Sequence, residues 1–315
     1  MSNNPVTALK PHFPGLKKAK KIVGEASTRE YYRLFFEKYT LMAMIFPEKE
    51  AAIPEIEKVT KFTTLYSDYS LLVPEIKDVI DNHIVVQEDL GDVLVQKVLK
   101  DKKRVSEWEP IFEEIGDILI KLRDIPASKT SAILDLARMK KEMDFFLAHF
   151  APYYLSIGRT EEGLQELKSC LYKMVESNSR VDTFAHRDFH TRNMMIHKDN
   201  GKVYLVDYQD SLVASPYYDL VSFTYDSYLD LKENKKIFME RLQGKGFKIE
   251  EDLLYIAAIQ RNIKALGTFG YQVMVRKNTK YSKYIKRTLR RVLSNPCFDE
   301  FFKLDFFLLD DNTLS

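Results

Sequence analysis

Cysteine is nearly absent from this chain. Its 315 residues include only Cys170 and Cys297, which form no CxxC, and no signal-like apolar segment stands near the lysine-rich N-terminus; the expected setting is a reducing cytoplasm. Long apolar runs are missing as well. None approaches the roughly 18 residues that suggest a membrane span, so no membrane partner is expected. Neither sign of charge dominates: 48 Lys and Arg stand against 46 Asp and Glu, a net charge of +2, which argues against a generally nucleic-acid-binding surface. Local basic clusters at residues 17–21 and 283–291 read as solvated helix faces. Internal repeats and low-complexity linkers are also lacking.

What the chain does have is one dense polar run. His186-Arg187-Asp188-Phe189-His190-Thr191-Arg192-Asn193-Met194-Met195 is followed, after a short gap, by Asp207-Tyr208-Gln209-Asp210. Between the two blocks Asn200-Gly201, flanked by apolar runs at 194–196 and 203–206, predicts a tight hairpin whose turn residues supply positive φ. Asn193 and Asp207 then sit about seven residues either side of the turn and face each other. In kinase-type phosphoryl transfer the Asp of H-R-D-x-x-x-x-N accepts the proton of the attacking hydroxyl, the Asn binds Mg²⁺, and an Asp beyond a short hairpin binds Mg²⁺ again. Here those roles fall to Asp188, Asn193 and Asp207. Hard oxygen ligands suit Mg²⁺, which needs few protein contacts because phosphates and water complete its shell. Each piece alone is common in loops; their joint order and spacing is what points to chemistry. His186 reads as a brace for the loop.

The length predicts about two domains, set at 1–91 for a nucleotide-binding lobe and 92–315 for a catalytic and substrate-binding lobe. β-prone runs at 31–35 and 40–46 form a hairpin, 84–87 is a third strand, and 54–66 is a helix with Pro54 in its first turn. Ser106 and Glu109 make a capping box. Trp108, Ile111, Phe112, Ile115, Ile118, Leu119 and Leu122 then recur at helical spacing and form a core stripe. Further helices are expected at 134–150, 161–176, 218–231 and 253–266, and the Phe- and Leu-rich end, 298–309, is expected to dock on the helical lobe. Nucleotide-binding candidates are Gly24, Ser27 and Arg29, in a turn whose N–H groups and hydroxyl could cover phosphates, and Glu88 and Leu90, in a hinge whose backbone could read an adenine edge. Protein kinases carry a Lys on the third strand, yet 40–46 contains none.

Several blocks carry a family likeness. Gly24-Glu25-Ala26-Ser27-Thr28-Arg29-Glu30-Tyr31-Tyr32-Arg33 is similar to G-D-A-S-F-R-R-Y-F-R, and residues 186–195 are similar to H-R-D-Y-H-S-R-N-L-M. Asp207-Tyr208-Gln209-Asp210-Ser211 matches D-F-Q-D-A, residues 218–222 match Y-D-L-V-S, and Gln260-Arg261-Asn262-Ile263-Lys264-Ala265-Leu266-Gly267-Thr268-Phe269 is similar to Q-R-H-L-K-V-x-G-I-F. The chain thus resembles the anomeric amino-sugar kinases of cell-wall recycling, in the aminoglycoside phosphotransferase and choline kinase superfamily, which phosphorylate the C1 hydroxyl of N-acetylmuramate and N-acetylglucosamine. The resemblance implies an α+β, bilobal protein-kinase-like fold with a small β-rich N-lobe and a larger helical C-lobe. It further implies ATP and Mg²⁺ as cofactors and a sugar hydroxyl presented to Asp188; a monomer or weak homodimer is expected. His190, Arg192, Asp210 and Arg261 become candidates for holding the sugar. Ala214-Ser215-Pro216 and Asn262 depart from the family blocks, on the acceptor side more than at the metal site.

Other readings are kept open. Choline would need an aromatic cage, for which Tyr217, Tyr218, Tyr225 and Tyr228 offer rings. An aminoglycoside would favour an acidic rim, for which Asp226 and Asp230 are available. A pseudokinase that only binds nucleotide would normally have lost one of the three oxygen ligands, and this chain keeps all three.

Overall fold

The fold was analysed in a computed structural model, which describes residues 9–22, 29–101, 108–178 and 180–309. The chain divides into two compact units: one runs up to Val95 and takes in Asn193–Asp210, and the other comprises Gln96–Arg192 and the chain from Ser211 onward. The first break lies close to the sequence boundary at 91. The hairpin at 193–210, assigned by sequence to the second lobe, clusters instead with the first unit. Its strand β8 (Met194–Ile196) lies between β6 (Val93–Leu94) and β9 (Val203–Leu205), and the Leu205 N–H donates to the Leu72 carbonyl at 2.8 Å.

The first unit is built on five antiparallel strands in the order β1-β2-β3-β5-β4, where β1 is Lys18–Ile22, β2 Glu30–Phe35, β3 Thr40–Ile45, β4 Ile76–Ile80 and β5 Ile84–Glu88. Alternation divides the sheet between two cores. Leu34, Ala43 and Val86 pack with Leu9, Phe13 and Leu16 on one face, while Met44 and Val85 meet Ala52, Ile56 and Val59 of helix α1 (Lys49–Asp68) on the other. The basic cluster at 17–21 is therefore no helix face. It forms most of edge strand β1, whose exposed lysines suit a free edge that must not pair with another chain. Helix α1 also begins earlier than expected, with Pro54 inside it; burial of Ala52 and Ile56 offsets the missing proline N–H.

The second unit is helical, with α2 (Trp108–Asp124), α3 (Leu136–His149), α4 (Glu161–Ser177), α5 (Tyr218–Thr224), α6 (Asn234–Gly244), α7 (Glu251–Gly270) and α8 (Ser282–Leu293), plus a two-strand ladder of β7 (Thr183–Ala185) and β10 (Leu212–Ala214). The α2 stripe is buried as read, from Ile111 to Leu122, with Trp108 donating its ring N–H to the Val98 carbonyl. Ser106 of the expected capping box lies outside the described residues. Asp135 and Thr160 cap α3 and α4 by accepting from Arg138 and Gly163 N–H groups. At Gly267 and Gly270 of α7 an added Cβ would collide with the backbone of Phe146 and with the His149 carbonyl, so glycine lets α7 lie directly on α3. Phe298, Phe301, Phe302, Phe306 and Phe307 are buried in the core shared by these helices. The helix expected over 218–231 stops at Thr224, because Asp226 turns its side chain back to accept the Tyr228 N–H. Among the described residues no helix is long and apolar enough to cross a membrane.

Candidate active site

Strand β7 delivers the chain into the polar loop 186–192, which is fastened at both ends by buried carboxylates. Asp219, near the start of α5, accepts the N–H of His186 at 2.6 Å and of Arg187 at 3.0 Å. This double acceptance helps hold Arg187 at a left-handed φ of 78°, strained for a residue with a Cβ. Burial pushes the Asp219 carboxyl up to about 7, against the pull of its two backbone donors. At the far end Asp226 takes both the N–H and the hydroxyl of Thr191 on one oxygen, at 3.0 and 2.5 Å. Arg291 of α8 in turn donates to the Asp226 carbonyl and, at 2.8 Å, to that of Leu229. Asp226 is thus an internal clamp and offers no acidic rim. Replacing Asp219 with Ala strands two buried N–H groups; the expected loss is about 2–4 kcal/mol, measurable as a lowered urea midpoint.

Between the clamps lies Asp188. Its carboxylate keeps 37% of its surface exposed and sits 3.3 Å from the ammonium of Lys264, on α7, which is 21% exposed. Burial pushes the Asp188 carboxyl up, but Lys264 first, then His190, Arg187 and His186, more than reverse this and hold it far below the usual carboxylate range. Burial works against the Lys264 ammonium too, and Asp188, then Tyr218 and Glu142, reverse it, so that its pKa is raised. Glu142 of α3 lies 3.7 Å from Arg187. His186 is fully buried, its ring edge-on to Phe189, as a brace should be.

The hairpin in the first unit carries the two metal-ligand candidates. Met194 pairs with Leu205, and Val206 N–H donates to the Asn193 carbonyl at 3.0 Å, so Asn193 stands opposite Val206, next to Asp207. The turn is wider than Asn-Gly predicted. His197 N–H bonds the Lys202 carbonyl and only Gly201 has positive φ, because the His197 ring accepts the N–H groups of Asp199 and Asn200 and holds a four-residue loop. Asp207 itself adopts φ 63° and accepts from the Gln209 amide at 2.8 Å. The next residue is anchored: the buried Tyr208 hydroxyl shares a 2.8 Å hydrogen bond with Thr63 of α1.

Of the nucleotide-binding candidates, Gly24 and Ser27 lie outside the described residues. Arg29 precedes β2, pairs with Glu55 of α1 at 2.9 Å, and stacks its guanidinium 5.3 Å over Phe46. Tyr31, whose pKa is raised by burial, feels the charges of both Arg29 and Asp207, so these two lie in one neighbourhood. Glu88 accepts from the His197 ring at 3.1 Å, and the Leu90 carbonyl accepts the Lys198 N–H at 3.0 Å. Between them the buried Asp89 is 2.8 Å from Arg33, which fixes the segment's course. A concavity of about 740 Å³, lined by Tyr39, Thr40, Asp89 and Lys198, occupies the turn end of the hairpin, opposite the end that carries Asn193 and Asp207.

The sugar-holding candidates split. Arg192 stacks 4.5 Å over the Tyr228 ring and His190 meets that ring edge-on at 5.0 Å. Arg261 is buried and donates to Ser227 at 3.2 Å, so these three gather around residues 227–228. Asp210 belongs to the other unit and is exposed. Tyr217, Tyr218 and Tyr225 are buried, which removes them from a choline cage. The sequence reading did not single out Asp219, Lys264 or Glu55. The first two stand inside the family-like blocks, and that placement was the available sign.

Comparison with known proteins names the family. The pattern "APH: Phosphotransferase enzyme family" matches residues 18–246. The chain belongs to that phosphotransferase family. The phosphotransferase is 24% identical over 282 residues to the N-acetylmuramate/N-acetylglucosamine kinase of Neisseria meningitidis serogroup B, covering 84% of this chain and 81% of that one. Its fold is similar to the choline kinase LicA from Streptococcus pneumoniae (TM-score 0.64, 15% identity, 92% and 98% of the two chains). It is also similar to aminoglycoside phosphotransferase APH(4)-Ia in a ternary complex with ADP and hygromycin B (TM-score 0.66, 12% identity, 93% and 99%). These structural likenesses agree with the α+β, kinase-like architecture read from the sequence.

Proposed function

We propose that this phosphotransferase is an ATP- and Mg²⁺-dependent sugar kinase that transfers the γ-phosphate to the anomeric C1 hydroxyl of N-acetylmuramate or N-acetylglucosamine, in the cytoplasm. The observation that carries this reading is the loop 186–192, clamped at both ends with the ionised Asp188 carboxylate left partly open at its centre. Such a group can hold an acceptor hydroxyl in line and receive its proton as the O–P bond forms. Sugar hydroxyls and an acetamide need fixed donors, and His190, Arg192 and Arg261 supply cationic or polar groups around residues 227–228. We assign Asp210 a weaker part, since it is exposed in the other unit.

The metal fits the donor set. Asn193 and Asp207 offer one amide and one carboxylate oxygen at adjacent hairpin positions, the hard and sparse protein contribution that Mg²⁺ accepts; Mg²⁺ held there would neutralise charge on the triphosphate. Glu88 and Leu90 would meet the base, and Gly24, Ser27 and Arg29 the phosphates. Arg29 with Glu55 of α1 offers a cation of the kind that β3, without a lysine, cannot. Glu55→Ala is accordingly expected to raise the KM for ATP about tenfold, equivalent to about 1.4 kcal/mol, with the acceptor KM unchanged in steady-state kinetics.

The deciding experiment is ATP consumption across free amino sugars, hexoses, choline and aminoglycosides, with ³¹P NMR to locate the new phosphate. A phosphomonoester coupled to an anomeric proton is expected. Phosphate on another hydroxyl or on choline would replace this reading with another kinase of the same fold, and nucleotide binding without transfer to any acceptor would leave a pseudokinase.

A further inference from the structure

We propose that Lys264 is a positioning residue for Asp188: its ammonium, 3.3 Å away, answers the charge of the carboxylate and holds it aimed. The proposal rests on the reading of Asp188 as the group that receives the acceptor's proton. Lys264 stands on α7 between Ile263 and Ala265, both buried, on a helix whose middle is almost wholly buried. Burying most of an ammonium there is costly unless a carboxylate answers it. Asp188, 76 positions away in sequence, gives that answer at 3.3 Å. The pair is not sealed: the two side chains keep 21% and 37% of their surfaces open, so a ligand can reach the carboxylate while its partner holds it.

The groups around the pair alternate in sign. Arg187 is 3.7 Å from Glu142, the charge of Glu142 acts on Lys264, and Lys264 meets Asp188. From the remaining elements Tyr218 and Asp219 of α5 face the pair, together with His186 and His190 of the loop. Burial favours protonation of Asp188, and Lys264 is the foremost of the groups opposing it, ahead of His190, Arg187 and His186. The sign follows. A depressed carboxyl pKa keeps the working anion present as pH falls, until the low value is reached. Without Lys264 the largest charge opposing burial is gone, the carboxyl rises, and the anion is lost at a higher pH.

The test is a ¹³C-carboxyl NMR titration of Asp188, with its signal assigned by Asp188→Asn, together with the pH profile of kcat/KM for ATP and N-acetylglucosamine. Lys264→Met, with Lys264→Gln as a second neutral variant should Met impair folding, is expected to move the Asp188 titration up by at least ~1 pH unit. The acid limb of the profile moves with it, and kcat falls roughly 10- to 100-fold while the KM for ATP holds. Lys264→Arg restores the titration and the limb. An unmoved titration overturns the proposal, as does a raised acceptor KM with an unmoved acid limb, which would make Lys264 a ligand of the acceptor. Asp188→Asn in the same assay separates the two readings. If it turns over normally, Asp188 is not the base, and the proposal falls with that reading even where the titration shifts. If it is inactive while the Lys264→Met titration stays put, only the role of Lys264 is lost.

Discussion

Asp188→Asn is expected to fold, to bind nucleotide, and to turn over about a thousandfold more slowly. The amide keeps the side chain's shape, and the loop keeps its clamps, since Asp219 and Asp226 hold backbone and hydroxyl groups of other residues. What is lost is the negative charge. An amide cannot receive the acceptor's proton, and it leaves Lys264 with Glu142 as its remaining anionic neighbour among those acting on it from other helices. Thermal melting and ATP binding check the first two expectations, and steady-state turnover with the acceptor found by the substrate screen checks the third. A turnover near that of the unaltered enzyme would remove Asp188 from the proton-accepting role.

Asp207 is expected to show the second large effect, on nucleotide binding. Asp207→Ala should weaken ATP binding at least ~100-fold in the presence of Mg²⁺, with little change in its absence, as read by calorimetry with and without the metal. The position has φ 63°, where alanine is strained and asparagine is tolerated, so Asp207→Asn is the cleaner partner variant. It preserves backbone and shape while removing the charge. In both variants the Tyr208–Thr63 hydrogen bond keeps the neighbouring chain anchored to α1. Equal affinity with and without Mg²⁺ in the unaltered protein would instead show that Asp207 serves no metal.

Local pattern made much of this legible. The β2–β3 hairpin, the α2 stripe and the β8–β9 pairing follow from periodicity and from a glycine in the turn, and the register that sets Asn193 beside Asp207 follows from the pairing. Other features depend on partners distant in the chain. Strand β1 is one: Lys18, Lys20 and Lys21 read as solvated charge, and only pairing with β2 makes them a strand. The stop at Thr224 is another, since Asp226 serves Thr191, 35 positions earlier. The turn at 198–201 widened because a neighbouring imidazole captured its N–H groups, a competition that dipeptide preferences do not contain. Lys264 stands within a family-like block, yet its meaning required Asp188 beside it.

The contact at Gly267 and Gly270 has a consequence for how the acceptor side can change. Where two helices touch through side chains, a rotamer flip can widen or narrow the gap; here main chain meets main chain, and that spacing is set by covalent geometry. The rods bearing Lys264 and Glu142 are thereby geared together, so under the proposed function retuning for a bulkier or smaller alcohol would fall to side chains such as Arg192, stacked on Tyr228, while the Lys264 and Glu142 backbones stay at a fixed gauge.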